Sequence, residues 1–233
     1  RSTPIKSSAA SDVYKRQDGY GVEEKLEFVR NFNAATFNDE WPGEYGKNLE
    51  PKSDADNTTL SRVTINNTAS QIGWAGLEVE QITEPVFTIR EISEETASIT
   101  VEYLVNYIRQ GRETYASVDE VYRVRQGTDR MYLLEYERQM SEILAEDNSA
   151  FVGDKIVLGI TDPDVEMMES DGGKILAFAQ AGVLYSVNVT DNKLSKLFSF
   201  YDSEGRDERT FYSGHDFKIC LLYTSDAADD LIG

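Results

Sequence analysis

Apolar and polar residues alternate with a period of two from residue 61 onwards, and this pattern limits the folds open to the chain more than any other. Successive side chains of a strand point to opposite faces, so the pattern predicts strands with one buried face. It is clearest over residues 97–108, where the apolar positions are Ile99, Val101, Tyr103, Val105 and Tyr107. Further segments of this kind cover residues 61–65, 77–79, 86–90, 113–125 and 130–144.

Short glycine-bearing segments separate the longest of these strands. They are Gln110-Gly111-Arg112 and residues 126–129, which read QGTD. Connections of two to four residues with glycine are typical of hairpins, so we expect an antiparallel meander. Residues 140–144 leave a helix open as the alternative at its end.

Before the meander, residues 22–33 predict a short amphipathic helix. Val22, Leu26, Val29 and Asn33 fall on one helical face, and the acidic pair at 23–24 suits a helix N-terminus. Residues 37–59, rich in Gly, Pro, Asn and Asp, are expected to be irregular. This segment either packs through Trp41 and Tyr45, which we favour, or forms a ligand-facing loop.

Beyond a polar boundary at residues 146–150 the predicted strands become short and closely spaced. They cover residues 155–160, 165–170, 174–180, 183–189 and 193–200, with turn residues between them. We expect residues 183–189 to pair antiparallel with residues 174–180. Such spacing favours a sandwich or a propeller.

Residues 170–178 read SDGGKILAF and residues 182–188 read GVLYSVN. This pair of segments resembles one blade of WD40-like propellers of the TolB type, whose blades carry S-x-D-G-x-x-I-A-F and then G-x-L-Y-x-x-D. The resemblance implies a β-propeller and no particular activity. Residues 37–51, 167–200 and 214–219 also resemble uncharacterised cell-envelope proteins of Gram-positive gut bacteria. That likeness implies an extracytoplasmic protein with an N-terminal membrane anchor.

The two ends of the chain resemble translated sequencing adapter. Residues 7–17 read SSAASDVYKRQ, which is one reading frame of the transposase adapter of tagmentation libraries, and residues 220–230 read CLLYTSDAADD, which its reverse complement encodes. Adapter scars are set aside before a fold is interpreted. We therefore expect residues 1–17 and 220–233 to be adapter artefact, and residues 18–219 to be a fragment of a longer protein.

Between those ends we predict a mainly β (α+β) chain. Residues 18–147 form a membrane-proximal α+β domain with an N-terminal helix and an antiparallel β-meander. Residues 148–219 begin a β-propeller-like domain that is truncated.

The net charge of the chain argues against some classes of binding partner. The chain carries 42 acidic against 23 basic residues, a formal net charge of −19, which disfavours nucleic acid and anionic membrane surfaces. Cys220 is the only cysteine and lies in the adapter-like end, so we expect no disulfide or thiolate chemistry. We expect contact with a membrane only through an anchor lost upstream of residue 18.

Candidate chemical sites are weak. His215, the only histidine, precedes Asp216 without any G-x-S-x-G motif, which favours a loop histidine over a catalytic one. An acidic run offers oxygen ligands for calcium, but its spacing differs from an EF-hand, which favours a solvated strand and turn (Asp162, Asp164, Glu166, Glu169, Asp171). The tyrosines of the meander favour cross-strand packing over a sugar-stacking platform (Tyr103, Tyr107, Tyr115, Tyr122, Tyr132, Tyr136).

We therefore predict no catalytic, cofactor-binding or metal-ligating residue and no cofactor. The expected function is that of a non-catalytic extracytoplasmic binding, sensing or scaffold protein, with an unknown protein or small molecule as its partner. The alternative is the N-terminal part of a propeller-bearing hydrolase whose catalytic domain lies downstream.

Overall fold

A computed structural model describes residues 20–38, 41, 43–145, 147, 149–200 and 219. The chain divides into two compact units, which we call the N-terminal unit (Arg1–Met140) and the C-terminal unit (Ser141–Gly233). The described residues form antiparallel sheets and one long helix near the N-terminus, so the prediction of a mainly β chain is confirmed. The predicted domain boundary after residue 147 stays a prediction.

Helix α1 spans Val22–Thr36, three residues longer than the sequence predicts. Its buried face carries Lys25, Val29, Phe32 and Asn33. Lys25 is buried because its ammonium donates to three backbone carbonyls, those of Tyr20, Ser93 (2.8 Å) and Glu94 (2.9 Å). The helix is thereby tied to the turn at residues 93–94.

The N-terminal unit is built on a six-stranded sheet. Its strands are β1 (Arg62–Thr64), β2 (Val79–Gln81), β3 (Val86–Ile92), β4 (Thr96–Arg109), β5 (Arg112–Gln126) and β6 (Met131–Ile143). Their order is β1-β6-β5-β4-β2, with β3 also paired to β4. The pairs β1–β6, β2–β4, β3–β4 and β4–β5 are antiparallel, and β4 and β5 pair from Thr96↔Arg125 to Arg109↔Arg112. The predicted meander is confirmed.

The β4–β5 turn explains this register. Gln110 and Gly111 have φ of 52° and 78°, as a two-residue hairpin turn of the I′ kind requires. Residues 140–143 continue β6, so the alternative of a helix there is wrong. Strand geometry persists because Met140 donates its backbone N–H to Ser61 (3.0 Å), beside the β1 pairing.

Aromatic rings form the core between α1 and the sheet. Phe32 is fully buried and contacts Tyr122 (5.7 Å between ring centroids) and Tyr136 (5.3 Å). The irregular segment after α1 closes over the same ring through Trp41 (5.1 Å) and Tyr45 (5.6 Å). Burial of one such ring contributes about 2–3 kcal/mol. The segment therefore packs, as favoured from the sequence.

The C-terminal unit contains a four-stranded sheet of β9 (Met167–Glu169), β10 (Ile175–Gln180), β11 (Val183–Asn188) and β12 (Lys193–Ser199). Neighbours in sequence are neighbours in the sheet, and all are antiparallel. The predicted pairing of residues 174–180 with 183–189 is confirmed. A small hairpin of β7 (Phe151–Val152) and β8 (Lys155–Ile156) precedes the sheet.

Several predicted strands of this unit are longer than the observed ones. The segment at 155–160 shortens to two residues and that at 165–170 to three, and β7 was not predicted. Apolar side chains from the sheet and its approach form the core (Leu144, Ala150, Phe178, Val183, Tyr185, Val187, Leu194). Over the described residues this sheet is open and not closed into a barrel or propeller.

Both adapter-like ends, with Cys220, lie outside the described residues, as do His215 and Asp216. Within the described part of the chain, no helix is both long and apolar enough to cross a membrane.

Candidate ligand-binding cleft

A cleft of about 870 Å³ opens in the N-terminal unit. The last turn of α1 and Trp41 form one part of its lining, and residues 73, 74 and 76–80 form another, in which we call Gly73, Trp74 and Gly76 the floor. The ends of β4 and β5 close it with Asn106, Tyr107 and Glu113. This volume falls in the usual range of roughly 300–1,000 Å³ for small-molecule sites.

The floor of the cleft is a left-handed turn. Trp74, Ala75 and Gly76 have φ of 68°, 52° and 81°, three consecutive residues in the region that L side chains avoid. Each non-glycine residue held there costs about 1–2 kcal/mol. Such strain persists only where the surrounding structure over-determines it, and it concentrates at functional sites.

Arg138 is the residue that supports this turn. It is fully buried, and its guanidinium donates to the carbonyls of Ile72 (2.7 Å) and Gln71 (3.1 Å). The same guanidinium lies 3.6 Å from the centroid of the Trp74 ring. One cation therefore satisfies the end of the short helix α2 (Ala69–Ile72) and positions the indole at the cleft floor.

Behind Arg138 lies a buried carboxylate, Glu120, which is 1 % exposed. It accepts hydrogen bonds from the hydroxyls of Tyr122 (2.7 Å), Tyr136 (3.0 Å) and Tyr103 (3.1 Å). The side-chain amide of Asn33 donates a fourth, at 2.8 Å. Four donors replace the water that this carboxylate loses on burial.

The tyrosine hydroxyls in this network stay protonated. Burial first, and the Glu120 carboxylate second, raise the pKa of Tyr103, Tyr122 and Tyr136 well above 10.0. The Arg138 guanidinium acts in the opposite direction on the pKa of Tyr136. The buried carboxylate, its tyrosines and Arg138 thus interact electrostatically, and Arg138 in turn contacts the Trp74 ring.

Trp41 forms an aromatic wall of the cleft. Its indole N–H donates to the carbonyl of Ala69 (2.7 Å), and its ring stacks on Tyr45 with an interplanar angle of 17°. The ring lies against Gly73, where an added Cβ would meet its Cδ1 atom at 2.6 Å. Glycine is therefore required at position 73 for Trp41 to occupy this wall.

Acidic side chains also line the cleft. Glu78, Glu80 and Glu113 line the cleft and are all exposed. Glu113 accepts a hydrogen bond from the amide of Asn106 at 3.0 Å. Among the described lining residues none carries a positive charge. The cleft therefore combines ring faces with a negative rim.

A second, smaller hollow of about 300 Å³ lies beside α1. Glu24, Glu27 and Glu44 line it together with Lys47 and Arg130, so both signs of charge are present. Phe28 and Tyr45 also line it, but none of its described lining residues has left-handed backbone.

The acidic run singled out in the sequence forms no cluster. Asp164, Glu166 and Glu169 are exposed, and Asp162 accepts a local hydrogen bond from the backbone N–H of Asp164 (2.8 Å). Within the described ranges, no three carboxylate, histidine or cysteine side chains come close enough to hold a metal ion.

Four of the six tyrosines of the meander are buried and pack in the core (Tyr103, Tyr107, Tyr122, Tyr136). Tyr115 is exposed, and Tyr132 lies between the guanidinium groups of Arg125 (5.4 Å) and Arg130 (4.4 Å).

The sequence argument missed Trp74, Glu120 and Arg138. For the two charged residues a signal existed. Glu120 is in phase with Val118 and Tyr122, and Arg138 with Tyr136 and Met140, so both occupy positions that the alternation assigns to the buried face.

Comparison of the chain with protein-family models, with curated proteins and with solved structures gives no match.

Proposed function

We propose that the N-terminal unit is a ligand-binding domain, and that the chain is a non-catalytic binding or sensing protein. The observation that carries this proposal is the cleft floor, where Trp74 and Ala75 hold left-handed backbone above a fully buried arginine. A fold that only needed a stable core gains nothing from backbone strain at the floor of an 870 Å³ cleft. A floor held in one conformation favours ligand binding, because preorganisation lowers the cost of binding.

The cleft's chemistry supports recognition. Its ring faces and exposed carboxylates select a ligand by stacking and by charge, in a concave site that removes water from the bound molecule. Strands β2, β4 and β5 and the end of α1 supply part of its lining.

Thermal unfolding of the whole chain against a small-molecule library sorted by charge tests this function. A ligand at one hundred times its Kd stabilises the native state by about 2.7 kcal/mol. Ile108→Arg, at a 63 % exposed lining position, should abolish that stabilisation by filling the cleft with a long side chain. Leu134→Arg, at a 41 % exposed position away from the lining, is the matched control and should retain it. A library without any stabilising member, or equal stabilisation in both variants, would contradict the proposal.

We also propose that the C-terminal sheet is one blade of a β-propeller. Its four strands follow one another as an antiparallel meander, and Ala181-Gly182 makes a tight turn with φ of 52° and 68°. Further copies of the blade motif in the complete reading frame would support the propeller. A complete reading frame with this single copy would contradict it.

The extracytoplasmic, membrane-anchored location remains part of the same proposal and rests on the resemblance to cell-envelope proteins. Fractionation of cells that express the complete gene tests it. Recovery in the membrane fraction with accessibility to external protease is expected, and a wholly cytosolic protein contradicts it.

A further inference from the structure

The charges around the cleft are of one sign. Three glutamates line it, and the described lining contains no lysine, arginine or histidine (Glu78, Glu80, Glu113). The chain as a whole carries a net charge of −19, which adds a negative background potential. An anionic ligand would therefore meet repulsion at every charged group of this wall.

Helix α1 contributes in the same direction. Its last residue, Thr36, and the following Phe37 and Asn38 line the cleft, so the helix ends there. The C-terminal end of a helix carries about half a negative charge, which favours a cation. The last turn of the helix holds no basic side chain that would neutralise this negative charge.

Aromatic rings supply the third contribution. Trp41 and Phe37 are half-buried at the cleft wall and leave part of their surface accessible. The buried face of Trp74 already carries the Arg138 guanidinium at 3.6 Å, so this site uses cation–π contact in its own support. A cation over Trp or Phe gains about 0.5–2 kcal/mol, the larger value where water is excluded.

Resting on the proposed function, we infer that the ligand of the cleft is a small organic cation. Its ammonium group lies toward the carboxylates of Glu78, Glu80 and Glu113, and its carbon body lies against Trp41 and Phe37. Charge and stacking act together here, so a neutral molecule of the same shape keeps only the apolar contact. The same ammonium chemistry is available from a free alkylammonium molecule or from a lysine side chain.

Intrinsic fluorescence reports on this site directly, because Trp41 and Trp74 are the only two tryptophans of the whole chain and both line the cleft. The intact protein is titrated with choline, with spermidine and with the neutral isostere of choline, 3,3-dimethylbutan-1-ol. A lysine-containing tripeptide, glucose and acetate complete the set. We expect a saturable change with an ammonium compound, about tenfold tighter than with the neutral isostere. The tripeptide distinguishes a polypeptide side chain from a free cation as the source.

Charge-removing variants give the second test. The double variant Glu78→Gln with Glu80→Gln should weaken binding of the ammonium compound by about tenfold. Its affinity for the neutral isostere should stay the same. Glu91→Gln removes the same kind of charge from an exposed position of β3, which pairs with the opposite end of β4 at Ser98, and should leave the affinity unchanged.

The outcomes separate this inference from the function beneath it. The inference of a cationic ligand is wrong if glucose, acetate or the isostere binds as tightly as the ammonium compounds. It is also wrong if the double variant binds an ammonium compound with unchanged affinity. In both cases the cleft remains a binding site. If no member of the set changes the fluorescence, the cation inference is overturned. The charge-sorted library with its Ile108→Arg control then decides the binding function by itself.

Discussion

Glu120 shows at the residue scale how this protein stabilises charge inside a β-sheet core. Its carboxylate is surrounded by three tyrosine hydroxyls and one amide, all within 3.1 Å. A carboxylate accepts four donors, whereas a neutral amide of the same shape accepts at one oxygen and places its own N–H groups among donors.

Glu120→Gln should therefore lower the free energy of unfolding by about 1–3 kcal/mol, because at least one hydroxyl loses its acceptor in the core. Urea denaturation measures this. Glu135→Gln, an exposed glutamate of β6, is the matched control and should change stability by less than about 0.5 kcal/mol. Equal stability of wild type and Glu120→Gln would show that the network contributes nothing.

Asp119 makes stability depend on pH. Loss of water around the carboxyl group first, and then the carboxylates of Glu102 and Glu120, raise the pKa of Asp119 from 3.8 to about 6, although the residue keeps an exposed surface. Glu102 is its direct cross-strand partner. The folded state thus binds this proton more tightly than the unfolded state. The contribution of protonated Asp119 to the free energy of unfolding is therefore fully present below the unfolded pKa and is lost as pH rises toward 6.

Asp119→Asn should remove this loss and be more stable than the wild type above pH 6. Since the side chain is exposed and water screens the repulsion, we expect a gain of roughly 1 kcal/mol or less. The difference should shrink as pH falls through the window between 6 and 3.8. Unfolding midpoints at pH 4 and pH 7 measure it, and a variant less stable at pH 7 would refute the sign.

Individual residues also show how far the fold can be predicted from the sequence. Alternation placed Tyr103 and Tyr122 in the core correctly, because large apolar surface is buried wherever the strand period allows. It left Glu120 unassigned, because a charged residue in phase with the core is buried only where partners gather from distant positions, here Asn33 and Tyr136. Those partners meet only in the folded chain.

At the scale of elements, the left-handed turn Trp74–Gly76 is the feature whose backbone conformation makes the sharpest prediction about stability. Gly76, with φ of 81°, has open space where a Cβ would stand, so substitution there changes backbone freedom alone. Ala75, with φ of 52°, is held in the same region with a Cβ present.

Ala75→Gly should stabilise the N-terminal unit by about 0.5–1 kcal/mol, and Gly76→Ala should destabilise it by about 1 kcal/mol. Thermal unfolding of both variants measures the pair. Destabilisation by Ala75→Gly would mean that the turn is relaxed rather than strained.

Elements with strong local signals were predictable. β4 and β5 follow from a long alternation and a two-residue glycine turn, and α1 from its apolar spacing. The turn at residues 74–76 was not, because its conformation is imposed by Arg138 from another strand. In the C-terminal unit, β7 and β8 are two residues each, too short for any period to show.

At the scale of the whole molecule, acidity dominates. A net charge of −19 makes compact states repel themselves, and the side-chain ion pairs of the described residues include those of Arg30 with Glu23 and of Arg62 with Glu137. Salt should screen this repulsion, so the unfolding midpoint should rise between 10 mM and 300 mM sodium chloride by roughly 2–4 °C, about 1 kcal/mol. Scanning calorimetry checks this, and a midpoint that falls with salt would show that attractive pairs outweigh the repulsion.

The cleft itself belongs to this largest scale. Its walls come from residues near 37, 74, 107 and 113, which no local pattern brings together. Trp41 was open to two interpretations, packing or facing a ligand. The structure shows packing on Phe32 and Tyr45, and the same ring also lines the cleft that we propose as a binding site.

The most direct test of the cleft as a binding site is the pair of tryptophan indole N–H signals in a nitrogen–proton NMR spectrum. Trp41 and Trp74 are the only sources of such signals in the chain. On titration with the library member that stabilises the protein most, both indole signals should shift saturably with one shared Kd. A ligand that stabilises the protein and shifts signals of the C-terminal unit while both indole signals stay in place would contradict the account.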